Sequence, residues 1–150
     1  MTTTPEALRV LIVDDHPLFR LGLAAALAEM EGIELVGEAE RVEDVSDLVE
    51  EARPDIVLMH LGTNDMWGHF IPTATKLTAF TKLVGQMRAN NPNMKILVAQ
   101  IIPMSAASCS TCPADIVELD NAIPGWAAGL STADRKSTSL NSSHLFISRM

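Results

Sequence analysis

Four short apolar runs alternate with stretches of helical periodicity, and this alternation constrains the fold more than any other feature. Residues 8–13, 33–37, 55–61 and 95–102 are rich in Val, Ile and Leu and have the length of buried strands. Between them, Leu18, Leu21 and Ala25, with Leu27 and Met30 alongside, give a first helix a wide apolar face. Val42, Val45, Leu48, Val49 and Ala52 space a second helix, and Leu77, Phe80, Val84 and Met87 line a third. Ile116, Leu119, Ile123 and Trp126 continue a fourth, with a kink or break expected at Pro124-Gly125. Asp15 can cap the first helix, with Pro17 near its first turn, where a missing N–H costs little. Pro54 stops the second, Asn90-Asn91-Pro92-Asn93 is turn chemistry, and residues 62–75 form a loop long enough to be functional. A β-α-β-α-β-α-β-α order predicts an α/β doubly wound parallel sheet with right-handed crossovers. Sites in such sheets lie beyond the carboxyl ends of the strands. Here that means Asp14 to His16, Gly37-Glu38, His60 to Asp65 and Gln100 onward.

Composition breaks in the middle of the chain. Residues 1–59 hold 14 acids against 4 bases, a balance of −10, and residues 60–150 hold 5 acids against 7 bases, a balance of +2. All six Asn lie at or beyond Asn64, and Ser46 is the only Ser before Ser105. Such a break supports two origins better than one. The acidic half argues against nucleic-acid binding. At 47% apolar residues and 150 residues in all, the chain can bury a real core. No apolar run reaches the ~18 residues of a membrane span. The start, Met1 to Arg9, lacks the pattern of a signal peptide, so a cytoplasmic chain is expected as written.

Two families can be read through Pro54-Asp-Ile-Val-Leu-Met59. Upstream, Val10-Leu-Ile-Val-Asp-Asp-His-Pro-Leu-Phe-Arg-Leu-Gly-Leu23 and Gly32-Ile-Glu-Leu-Val-Gly-Glu-Ala39 closely resemble the receiver domains of LuxR/NarL-type response regulators, over about residues 8–59. The resemblance implies phosphoryl transfer from a histidine kinase to an aspartate in a two-component phosphorelay, helped by Mg²⁺. Asp14 and Asp15 match the acidic pair that would give a weak Mg²⁺ site, since Mg²⁺ wants hard oxygen ligands. The bland alternative is a helix cap at Asp15 and a solvated strand end at Asp14. The phosphoacceptor position is occupied by His60, the hydroxyl residue after the fourth strand is replaced near Gln100, and the family's Lys after a fifth strand has no counterpart.

Downstream, Asp55-Ile-Val-Leu-Met-His-Leu-Gly-Thr-Asn-Asp-Met-Trp67 resembles a sequence block of SGNH (GDSL-type) hydrolases. Met94-Lys-Ile-Leu-Val-Ala-Gln-Ile-Ile-Pro103 and Asn121-Ala-Ile-Pro-Gly-Trp-Ala127 strengthen the likeness to the carbohydrate-esterase branch that includes secreted acetyl-xylan esterases, over residues 54–135. In that family Asn64 would donate its amide to the oxyanion, Gly62 would let the turn approach closely, and Asp65 would anchor the loop. Asn64 can equally be a turn residue bonding its own backbone. The Ser expected after the first strand is absent, Ser46 falls inside the second helix, and no Asp-x-x-His block follows; His144 has no Asp three residues before it. Without nucleophile and base there is no triad. Trp67 and His69 read as packing or surface residues ahead of substrate contacts.

Both parents use a flavodoxin-like sheet, so a join at the third strand preserves topology. The resemblance implies four strands in order 2-1-3-4, with the usual fifth absent. It divides the chain into a receiver-like half (1–59), an SGNH-hydrolase-like half (60–135) and a disordered or artefactual tail (136–150). Cys109-Ser-Thr-Cys112 is a lone C-x-x-C, open to a loop disulfide, a redox pair or half a zinc site. A disulfide between Cys109 and Cys112 is the reading that a secreted esterase parent favours, whereas the receiver half implies a reducing cytoplasm. The expectation is a chimeric or truncated chain without intact catalysis. The parents' partners are a histidine kinase and an acetylated carbohydrate ester. The rivals are a non-phosphorylatable pseudo-receiver that binds a signalling partner and a weak SGNH-type ester hydrolase.

Overall fold

The computed structural model describes residues 6–67, 71–105 and 107–130. The tail at 136–150, with His144, and His69 lie outside the described residues. The elements run β1 (Leu8–Asp14), α1 (Pro17–Ala28), β2 (Ile33–Ala39), α2 (Val45–Ala52), β3 (Ile56–His60), α3 (Thr73–Asn90), β4 (Lys95–Val98) and α4 (Cys112–Leu130). Single 3-10 turns occupy Val42–Asp44 and Asn64–Met66. The four strands form one parallel sheet in the order β2-β1-β3-β4. It is the α/β flavodoxin-like arrangement expected from the alternation.

The two faces of the sheet are unequally covered. Leu11, Val13, Val57, Met59, Ile96 and Val98 point to one face and pack with α2, α3 and α4. Val10, Ile12 and Leu58 point to the other, where α1 supplies Leu27 with Leu23 and Ala24. That helix packs over β1 and β2. The wide apolar face expected of α1 is therefore only partly used. Leu18 is 75% exposed and Leu21 67%, with Met30 exposed too. Periodicity marks which side of a helix is apolar, not whether a second layer exists to cover it.

Three features differ most from the sequence expectation. His16, not Asp15, caps α1: its Nδ1 accepts the N–H of Phe19 at 3.4 Å, with Pro17 opening the helix. β4 stops at Val98. Ala99 N–H still reaches the Met59 carbonyl at 2.9 Å, but Ile101 N–H turns to the Asp120 carboxylate at 2.7 Å, and the chain leaves the sheet. α4 runs unbroken through Pro124. Proline cannot donate to the carbonyl four residues back, and the freed Asp120 carbonyl is taken by the Gln100 side-chain amide at 2.9 Å. A long-range contact thus replaces the local bond whose loss would have favoured a kink.

Gly62 joins β3 to the turn that follows. Its φ of +107° lies in the region that favours glycine, and a Cβ there would meet Leu119 Cδ2 at 3.1 Å and Ile101 Cδ1 at 3.3 Å. Gly62→Ala is expected to lower stability by about 1–3 kcal/mol through backbone strain and overpacking. Urea denaturation measures this; an unchanged midpoint would contradict the packing described.

Candidate functional site

β1 and β3 run in parallel register from Val10↔Ile56 to Asp14↔His60, so their last residues emerge side by side at the carboxyl edge. Apolar side chains on both faces fix that register, because a one-residue slip would turn every side chain over. Asp14 is fully buried. Its Oδ1 accepts the backbone N–H of His16 at 2.6 Å, and its Oδ2 lies 2.9 Å from His60 Nδ1. His60 Nε2 is buried without a hydrogen-bond partner. The Phe19 ring closes over the imidazole, centroid to centroid 4.6 Å.

Arg20, from α1, donates to the Asp14 carbonyl at 2.7 Å and pairs with Glu38 and Glu40 at the end of β2. It ties three elements together below the site. On the open side, Asn64 Nδ2 donates to Asp15 Oδ2 at 2.8 Å. The two residues are 49 positions apart, one from each half of the chain. Asn64 opens the turn Asn64–Met66, and Met66 is buried. The disulfide Cys109–Cys112 lies against this turn, with the two sulfurs 3.6 and 3.4 Å from the Met66 carbonyl.

Sequence reasoning placed Asp14, Asp15, His60, Gly62 and Asn64 at this edge, and the structure brings the first three together with Asn64. Ser46 lies exposed in the first turn of α2 and not after β1. Trp67 is 39% exposed. Asp120, Phe19 and Arg20 were not singled out as site residues, and Gln100 was named only as the start of the edge after β4. Phe19 and Arg20 stand inside the receiver-like motif Val10–Leu23, which assigns them no role. Only Pro124, four residues beyond Asp120, hinted that its carbonyl would need an outside donor.

Burial raises the Asp120 carboxyl above the ordinary aspartate value, while the Ile101 N–H and His60 pull it the other way. An acid whose folded pKa is raised binds its proton more tightly when folded. The folded chain therefore loses stability as pH climbs from the ordinary aspartate value through the raised one. Asp120→Asn keeps an acceptor for Ile101 and removes the ionisation. It is expected to raise Tm at neutral pH and to matter little in acid. A Tm change of equal size at both pH values would contradict this.

With the geometry in place, known proteins of two kinds match the chain. A model of the GDSL-like lipase/acylhydrolase family matches residues 21–135. The response regulator GacA of Pseudomonas aeruginosa is 35% identical over 94 residues. That alignment takes in 63% of this chain, but only 38% of the regulator's own length. Among solved structures, an acetyl esterase mutant with acetate ion superposes with a TM-score of 0.61 at 25% identity, covering 85% of this chain and 76% of that one. A carbohydrate esterase family 3 structure from Talaromyces cellulolyticus gives 0.58 at 24% identity, covering 85% and 75%, a likeness of fold. The chain is thus a hybrid in its resemblances, similar to receiver domains and to SGNH esterases at once.

Proposed function

The chain belongs to the GDSL-like lipase/acylhydrolase family, and from that premise we propose that it is a fusion of receiver and SGNH-esterase halves whose ester-hydrolysing edge is silent. The observation that carries this reading is the 2.8 Å hydrogen bond from Asn64 to Asp15. An oxyanion donor works only if its N–H points to where negative charge develops during reaction. Here the Asn64 amide is engaged by a carboxylate that stands just after β1, where the family carries its nucleophilic Ser. A substrate oxyanion would have to displace that carboxylate or sit beside it. Two like charges about 4 Å apart repel by roughly 1–4 kcal/mol between water and a protein surface. No serine stands in that position, and Ser46 is on the wrong element.

The receiver side is silenced in the same place. Mg²⁺ does not fit the residues present. Both Asp14 oxygens are engaged within a fully buried pocket, and Asp15 is held by Asn64. His60 stands where the phosphoacceptor Asp would be. The kinase and the acetylated carbohydrate ester belong, on this reading, to the parents and not to the chain. Hydrolysis of p-nitrophenyl acetate by the folded protein should match buffer, and Asn64→Ala should leave that rate unchanged. Turnover that Asn64→Ala lowers by about 10²-fold or more would instead establish a working oxyanion donor.

The exposed Leu18 and Leu21 on α1 favour a second reading, a non-phosphorylatable pseudo-receiver that holds a signalling partner. Capture of one partner that Leu18→Lys abolishes without unfolding the chain would support it. Capture that is indifferent to that change would count against it.

A further inference from the structure

We propose that Cys109 and Cys112 form a thiol–disulfide exchange site, with Cys109 as the attacking sulfur and Cys112 as the resolving one. The bridge spans a sequence separation of three, and so short a ring restrains little of the unfolded chain. Its value as a staple is correspondingly small. Its position, in contrast, suits redox chemistry. Cys112 opens the 19-residue helix α4, and its backbone N–H points at Cys109 Sγ at 3.2 Å. An amide left free by the helix start thus faces the sulfur that would carry the thiolate.

The two sulfurs also differ in access. Cys109 is partly exposed and Cys112 is fully buried. An incoming reactant can reach the first and not the second. Reduction leaves Cys112 with an acceptor already at hand, the Met66 carbonyl 3.4 Å from its sulfur. One turn along α4, Asp115 has a buried carboxylate oxygen, Oδ2, with no hydrogen-bond partner. Residues three apart on a helix are neighbours, so this oxygen is positioned to take the Cys112 proton.

In the exchange, the Cys109 thiolate attacks one sulfur of a substrate disulfide. The substrate S–S bond breaks, one substrate sulfur leaves as thiolate, and a mixed disulfide joins the other to Cys109. Cys112 passes its proton to Asp115 and attacks Cys109 Sγ. The Cys109–Cys112 bond re-forms and the second substrate sulfur leaves. Two electrons pass from the pair to the substrate, and an external dithiol resets the site. The substrate class is an exposed disulfide on a small thiol compound or a peptide.

The full chain, reduced with dithiothreitol and then exposed to oxidised glutathione, tests this by mass spectrometry. Cys112→Ser should accumulate a glutathione adduct at Cys109, and Cys109→Ser should accumulate none at Cys112. In the unsubstituted chain, reduced and still folded by near-ultraviolet circular dichroism, iodoacetamide should alkylate Cys109 about tenfold faster than Cys112. Asp115→Asn should slow release of the adduct without slowing its formation. A folded chain whose disulfide resists excess dithiothreitol, or equal alkylation of the two cysteines, would overturn the proposal. Equal slowing of both steps by Asp115→Asn would remove Asp115 from it.

Discussion

The pairing of β1 with β3 is the constraint on which the rest of this structure depends. Val10 to Asp14 lie beside Ile56 to His60 residue for residue, and the side chains of both strands are buried on both faces of the sheet. Once that register is set, Asp14 and His60 must emerge together, and their 2.9 Å contact closes the carboxyl edge between β1 and β3. β2 and β4 then add to either side, and the carboxyl edge gathers an acidic pair, Asp14-Asp15, that resembles that of receiver domains and a Gly62-Thr63-Asn64 turn that resembles that of SGNH esterases.

The edge looks like a site, yet its polar groups are largely engaged with one another. In each resemblance a charged or polar group is meant to face a ligand. Here the groups face each other. Asp14 is consumed by His16 and His60, and Asp15 accepts one N–H of the Asn64 amide. Buried or half-buried polar groups find partners because leaving them unpaired costs about 1–3 kcal/mol each. Where such groups meet with no ligand between them, mutual neutralisation is favoured. At this edge His60 Nε2 stays buried and unpartnered beneath the Phe19 ring. The layers are uneven too. Three helices cover one face of the sheet, and α1 alone packs on the other among the described residues.

The alternation of elements and the location of the edge were legible in the sequence because they follow from local properties, whereas the strand order came from the family resemblance. Apolar runs of strand length, helical spacing between them and Pro or Asn at the joints are all read within a few residues. What could not be read was set by contacts distant along the chain. Asp15 has the right chemistry to cap α1, but Asn64 holds its carboxylate, and His16 caps instead. Pro124 should weaken α4, but Gln100 supplies the missing donor. Leu18 and Leu21 have core spacing, yet no described element lies over them. In each case the local rule is sound, and a partner supplied or withheld by the fold decides the outcome.

The central claim is that Asn64 is tied to Asp15 and is not free to meet a substrate. The side-chain amide resonances of Asn64, followed by ¹⁵N nuclear magnetic resonance, test it directly. One of the two Asn64 amide protons, held by the Asp15 carboxylate, should resonate clearly downfield in the unsubstituted chain. In Asp15→Ala it should move to the position of an unengaged primary amide, the two protons staying distinct as in any such amide. Identical Asn64 side-chain shifts in the two proteins would mean that the amide is free, and the reason given for a silent edge would fall.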